Sequence, residues 1–173
     1  FEKVSLAQFT HDAQRLFPAS SPDAIQKAWE ALTLPVRATA GSAGYDFRLP
    51  FAVEAAAGQS VIIPSGIRCA MAEGWVLLLF PRSSLGFRHR MRLDNTVGVI
   101  DADYHGADNE GHILIRFTAD EPLTLPAGSA FAQGVFVPFG ICEEDDAKQQ
   151  RCGGFLCAAV LAGRIVFYGI GII

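Results

Sequence analysis

WVLLLFPRSSLGFRHRMRLDNTVGVIDADYHG, residues 75–106, holds two apolar runs of strand length, WVLLLF and TVGVI, each broken off by a cluster of Pro, Ser, Gly or Asp. Short apolar runs bounded by turn formers read as strands. Outward from this stretch the same texture continues in SVIIPSGIRCAM at 60–71, HILIRF at 112–117 and FAQGVFVPF at 131–139. With no internal repeat and no alternation of strands with helices, the pattern predicts a mainly β domain over 34–142, built as a sandwich, jelly roll or closed barrel.

Residues 1–33 carry a different period. Ser21 is placed to cap a helix, Pro22 suits its first position, Asp23 complements its dipole, and Ile25, Ala28, Trp29 and Leu32 fall on one face. A weaker helix spans Leu6 to Phe17, and Pro35 closes this N-terminal helical extension because proline disfavours helical geometry in the residue before it. Beyond the β region, EEDDAKQQ at 143–150 reads as an exposed linker, so 143–173 forms a flexible linker and an atypical apolar arm. The final LCAAVLAGRIVFYGIGII approaches the length of a membrane span, yet Arg164 in its middle costs about 2.5–3.5 kcal/mol to insert. A buried strand, or a tail foreign to the fold, is expected ahead of a span.

The 173 residues fit one domain, half of them hydrophobic and 18% charged, as in a folded globular protein. A net charge of −4 gives no sign of the broad basic face that polynucleotides require, so no nucleic-acid partner is expected. One anionic nucleotide needs only a few local donors. Cys69, Cys142, Cys152 and Cys157 have neither zinc-site spacing nor the density of a disulfide scaffold. FEKVSLAQF lacks a basic start followed by an apolar run, and the expectation is a cytoplasmic protein with reduced thiols.

Five segments concentrate residues able to do chemistry. In AGSAGYDFRLP (40–50), Gly41 and Gly44 permit close backbone approach ahead of Tyr45 and Asp46, unless they only shape a bend. PRSSLG (81–86) ends an apolar strand with a guanidinium, two hydroxyls and main-chain N–H groups, a set that suits phosphate oxygens; a polar turn with a structural ion pair from Arg82 is the alternative. DNTVGVIDADYHG (94–106) puts Asp101, Asp103 and Tyr104 just past an apolar run. Carboxylates two apart on a strand face the same way, so Asp101 and Asp103 are candidates to act together on a water or a metal, with Tyr104 as a flat surface for a sugar; a hairpin turn capped by Asp is the plainer reading. Gln133, inside an apolar strand, needs partners, either phosphate oxygens or neighbouring main chain. RCGGF (151–155) sets Arg151 and Phe155 around a glycine pair, an arm able to aim at phosphates and stack on a base.

In this order and at this spacing the segments resemble the five motifs of the trimeric dUTPase family, over roughly Leu34 to Phe155. The resemblance implies a β jelly roll or distorted barrel, assembled as a homotrimer whose sites draw on more than one subunit. It also implies hydrolysis of dUTP to dUMP and pyrophosphate, which keeps uracil out of DNA. By similarity, Asp101 is the general base that activates water for attack on the α-phosphorus, and Tyr104 is the sugar platform that excludes a 2′-hydroxyl. Asn95, with the backbone of Gly98, Val99, Ile100 and onward to Tyr104, resembles the element that reads uracil. Arg82, Ser83, Ser84 and Gly86 resemble the phosphate cradle, Gln133 its support, and Arg151 and Phe155 the closing arm. Asp46 resembles the carboxylate near the Mg²⁺–triphosphate, acting through water, with the metal held by phosphate oxygens and waters.

Three features depart from the family's pattern. The helical extension precedes its usual start, Ala130 stands where a basic residue is often found, and Leu156, Cys157, Ala158 and Ala159 replace a Gly-Ser-Thr-Gly run after Phe155. The altered ending leaves open a low-activity nucleotide-binding or regulatory protein on the same scaffold. A dCTP deaminase, which shares the fold and works on the base, is the nearest rival enzyme.

Overall fold

Strand β7 (Trp75–Pro81) buries Leu77 and Leu79 completely and leaves Val76, Leu78 and Phe80 half-buried. That period of two is the mark of a strand with one face on the core. In the computed structural model, which describes residues 1–147, β7 lies between β9 (Gly98–Ile100) and β12 (Ala130–Pro138). Beyond β12 come β3 (Tyr45–Arg48) and β2 (Val36–Arg37), giving a five-stranded sheet. A three-stranded sheet orders β5 (Ser60–Pro64), β10 (Leu114–Thr118) and β8 (Arg92–Leu93). Two short pairs complete the β structure, β4 (Val53–Ala55) with β11 (Leu123–Leu125) and β1 (Glu2–Lys3) with β6 (Ile67–Arg68). Every pairing is antiparallel, and the inner faces share a core that includes Phe47, Ile63, Phe117 and Phe131. The mainly β reading holds.

Both N-terminal helices form, the second where its cap predicts and the first with a cap at Ser5 that the sequence reading did not name. In α1 (Leu6–Leu16), Ser5 Oγ accepts from Gln8 N at 3.1 Å; in α2 (Pro22–Ala31), Ser21 Oγ accepts from Ala24 N at 3.2 Å and Pro22 occupies the first turn. Phe9, Ala13 and Ile25 are buried with Val4 in a small core of their own, against which Trp29, Leu32 and Phe51 pack. Burying Phe9 and Ile25 contributes about 1.5–3 kcal/mol each, so the extension is packed onto the β structure and not draped over it. Val4 N donates to Gly66 O at 3.0 Å, continuing the contact that β1 makes with β6.

Sequence patterning missed one helix and one break. Ser83–His89 forms α3, which carries PRSSLG away from β7 and ends at Arg90 in a left-handed conformation, φ 49°. SVIIPSGIRCAM divides into β5 and β6 at Gly66, whose φ of +74° and tight contact with Leu32 and Phe9 leave no room for a side chain. Among the described residues no helix is long and apolar enough to cross a membrane. The apolar tail with Arg164, and Arg151 and Phe155 before it, lie outside the described residues.

Candidate active site

Three predicted segments meet at the C-terminal end of β7. Register places Asp46 of β3 opposite Gln133 of β12, and Gln133 opposite Phe80 of β7, so the three share one face of the sheet. Asp46 is 8% exposed, and Arg82, the first residue past β7, reaches back to it in an ion pair. Gln133 Nε2 donates to Pro81 O at 3.3 Å, so the amide's partner in the chain is neighbouring main chain. Gly44 runs beneath that amide: a Cβ there would stand 2.6 Å from Gln133 Oε1 and would push the amide aside. From Arg82 the chain enters α3, anchored by buried Leu85, with Ser83 and Ser84 exposed and Gly86 behind them. Charge, hydroxyls and an amide are thus set on one rim, the donor set a phosphate chain requires.

Asp101 belongs to the other end of the sheet. β9 stops at Ile100, and Ala102–Gly106 forms a single 3₁₀ turn with Asp101 as its N-cap residue. The expectation that Asp101 and Asp103 project together from a strand is therefore corrected: at about three residues per turn, positions two apart diverge. Asp101 is half-buried and Asp103 exposed. Tyr104 is only 1% exposed and donates its hydroxyl to His112 O at 2.9 Å, so its ring is enclosed in the described chain where the sequence reading expected an open surface. Val99 is 49% exposed between buried Gly98 and Ile100, and Asn95 is exposed in the turn that links β8 to β9.

That turn has a brace the sequence did not reveal. Asp94 accepts from Ser60 Oγ and Thr118 Oγ1 at 2.6 Å each and pairs with Arg116 Nε at 2.9 Å. Partial burial would raise its pKa, but the two hydroxyls and the Arg116 charge outweigh it and hold the carboxyl below its usual range. The four residues lie on three different strands or turns, and their spacing along the chain carries no periodic signal.

The two groups do not meet within one chain. Ile100 pairs with Leu77 and Gly98 with Leu79, so Asp101 emerges beside Val76. Arg82 leaves the opposite end, six residues on, roughly 20 Å away at about 3.3 Å per residue. Between them the outer face of the sheet is apolar: Leu78 lies in one row with Val99 and Val135, and Val76 lies opposite Val137. Two clefts among the described residues, of about 470 Å³ between α1 and β4–β5 and about 450 Å³ between α2 and the Leu49–Pro50 segment, contain none of the predicted site residues. Among the described residues no group of three or more His, Cys, Asp or Glu is arranged to hold a metal.

The sequence profile of the dUTPase family matches residues 30–153, which contains both groups. The chain belongs to the dUTPase family. It is 39% identical over 129 residues to the deoxyuridine 5′-triphosphate nucleotidohydrolase of Lactococcus lactis, covering 72% of this chain and 86% of that one. Against the protein of the same name from Glaesserella parasuis it is 40% identical over 134 residues, covering 70% and 84%. The crystal structure of the Streptococcus mutans dUTPase superposes with a TM-score of 0.57 at 42% identity, over 63% of this chain and 88% of that one. A mutant of the dUTPase from phage phi11 of Staphylococcus aureus, described as coordinating a structural Mg(II) ion, shares the fold with a TM-score of 0.57 at 21% identity, over 68% and 90%. For such a cation the predicted site residues offer one buried carboxylate, Asp46, already paired with Arg82. That donor set fits a Mg²⁺ held mainly by substrate oxygens and waters, and does not fit a protein-built cage.

Proposed function

We infer that this protein is a dUTP diphosphatase, converting dUTP and water to dUMP and pyrophosphate in sites completed between neighbouring copies of a homotrimer. The observation that carries the reading is the division of the motif residues between the two ends of β7, with a half-buried apolar face between them on which Val99 is exposed. One copy then supplies Arg82, Ser83, Ser84, Gly86 and Gln133 to the phosphates, and another supplies Asn95, the Gly98–Ile100 backbone, Asp101 and Tyr104. Burying the Val76, Leu78, Val99 and Val135 face is what association would gain.

Asp101 takes a proton from water as its oxygen bonds to the α-phosphorus, the bond to the α–β bridging oxygen breaks, and pyrophosphate leaves with the electron pair. Arg82 and the α3 hydroxyls hold the phosphates in line, and Gln133 secures the strand that supports them. Asn95 and the β9 backbone orient uracil, and the enclosed Tyr104 fixes the segment beside the sugar through its hydroxyl bond to His112 O. When bound, Mg²⁺ would neutralise charge on the triphosphate, and Asp46 is the residue that would help to hold it through water. Arg151 and Phe155 are assigned to the arm that closes over the nucleotide. The catalytic unit is the β domain at 34–142, followed by the 143–173 linker and arm. Unpaired Cys69 and Cys142 support placing the enzyme in the cytoplasm, where it would keep uracil out of DNA.

The test is pyrophosphate release from dUTP with Mg²⁺, compared with the Asp101→Asn variant. Loss of general-base catalysis lowers kcat by about 10²–10⁴-fold. An unaffected variant, or ammonia released from dCTP, contradicts the assignment.

A further inference from the structure

We propose that the N-terminal extension is a working part of the active site: Asp12, acting through His112, is a positioning residue for the 101–112 segment that carries Asp101 and Tyr104. The inference rests on the assignment of Asp101 as the base and goes beyond it, because residues 1–29 lie outside the part of the chain that matches the dUTPase family.

Three contacts tie the extension to this segment. Glu2 Oε2 meets His105 Nε2 at 3.2 Å. Ser5 donates twice to Glu110, from its backbone N to Oε2 at 2.7 Å and from its Oγ to Oε1 at 2.6 Å. Asp12 Oδ2 lies 2.7 Å from His112 Nδ1, with Asp12 4% exposed and His112 fully buried. The imidazole's tautomer follows from its other side. Gly66 N donates to His112 Nε2 at 2.9 Å, so Nε2 is the acceptor and the proton sits on Nδ1, aimed at Asp12. Gln8 Nε2 donates to the same Asp12 oxygen at 2.7 Å and Arg15 reaches the other at 3.4 Å, which fixes the carboxylate on α1.

His112 passes this constraint to the site through its backbone. Its carbonyl accepts from Tyr104 Oη at 2.9 Å and from Asn109 Nδ2 at 3.3 Å, and Asn109 Nδ2 also donates to Tyr104 Oη at 2.9 Å. The segment folds back on itself tightly: Glu110 and Gly111 both have positive φ, 58° and 69°, and a Cβ on Gly111 would stand 2.6 Å from Tyr104 O. Ser5 clamps the one side chain that has to hold this left-handed turn. Tyr104 N in turn donates to Asp101 O at 3.1 Å, so the path from Asp12 to the proposed base is continuous.

The experiment uses the full chain at a temperature where each variant is folded. Asp12→Ala lowers kcat for dUTP about tenfold or more and leaves KM within about twofold, because a displaced general base weakens the transition state and not ground-state binding. Asp12→Asn, whose amide oxygen still accepts from Nδ1, restores kcat to within about threefold. Val53→Ala, a core change in β4 remote from the segment, leaves kcat unaltered. Should Asp12→Ala not fold, Ser5→Ala, on the surface, decides the matter with a drop of about threefold or more in kcat. An Asp12→Ala or Ser5→Ala enzyme with wild-type kcat overturns the proposal, as does a kcat that falls equally in Val53→Ala. An Asp101→Asn enzyme of full activity would instead overturn the underlying assignment, so the two failures are distinct.

Discussion

At the C-terminal end of β7, Asp46, Gln133 and Arg82 are held by strand register and by one another, on three adjacent strands of one sheet. At the opposite end, Asn95 and Asp101 sit on turns whose positions depend on side chains from elsewhere, Ser60, Thr118 and Arg116 on one side and the N-terminal extension on the other. The half proposed to hold phosphates is preassembled by the β ladder. The half proposed to carry the base is only as well placed as its lateral braces. A site divided in this way can keep one half rigid while the other is adjusted by segments outside the family's common region.

The contrast can be broken most forcefully at Arg82. Replacing it with Met leaves Asp46 enclosed and without that partner, and should cost about 2–3 kcal/mol, below the range for fully buried pairs because Arg82 is partly exposed. Arg116→Met, at a more exposed pair, should cost less than about 1 kcal/mol. Urea unfolding of both variants checks the difference, and equal losses would mean that the two ends are braced alike.

Acid titration sharpens the other side of the comparison. Burial alone would raise the Asp12 pKa, but the hydrogen bonds from His112 and Gln8 bring it down to about 2, from an ordinary 3.8. A folded pKa below the unfolded one means that the unfolded chain binds more protons across that interval. The stabilisation, about 2 kcal/mol, is therefore complete above about pH 4 and lost as pH falls towards about 2. Asp12→Asn should flatten the stability profile in that window. A profile as steep as that of the parent protein would show that the helix–segment tie carries little energy.

The smallest effect concerns the turn beside Asn95. Thr96 has a φ of 69°, an uncommon conformation for a β-branched residue. Thr96→Asn relieves it and should raise stability by about 0.5–1 kcal/mol, read as a higher urea midpoint. No gain would mean that the turn holds its shape without strain.

Much of this was legible in the sequence. WVLLLF and FAQGVFVPF announced strands because a strand's period survives in the order of residues, and Ser21-Pro22-Asp23 announced α2 because caps are local. The residues proposed to hold phosphates could be picked out for the same reason: they sit in or at the ends of recognisable strands. What the sequence did not show depends on contacts between residues about 100 positions apart, such as Asp12 with His112 and Ser5 with Glu110, for which no local pattern exists. The turn after Ile100 stood only as the alternative reading, because an Asp-rich stretch following an apolar run fits a continuing strand equally well. Nor does order along the chain reveal that Asp101 and Arg82 lie at opposite ends of one strand.

Complementation between two inactive variants tests that division directly. Asp101→Asn removes the base, and Ser83→Asp sets a carboxylate where phosphate oxygens are proposed to bind, on an exposed position that should not disturb folding. Each protein alone should release almost no pyrophosphate from dUTP. After joint unfolding and refolding at equal amounts, random assembly into a cyclic oligomer gives about a quarter of the sites one intact half from each variant, and activity should return to about that fraction of the parent's. A mixture as inactive as its components would mean that each chain builds its site alone, contrary to the account.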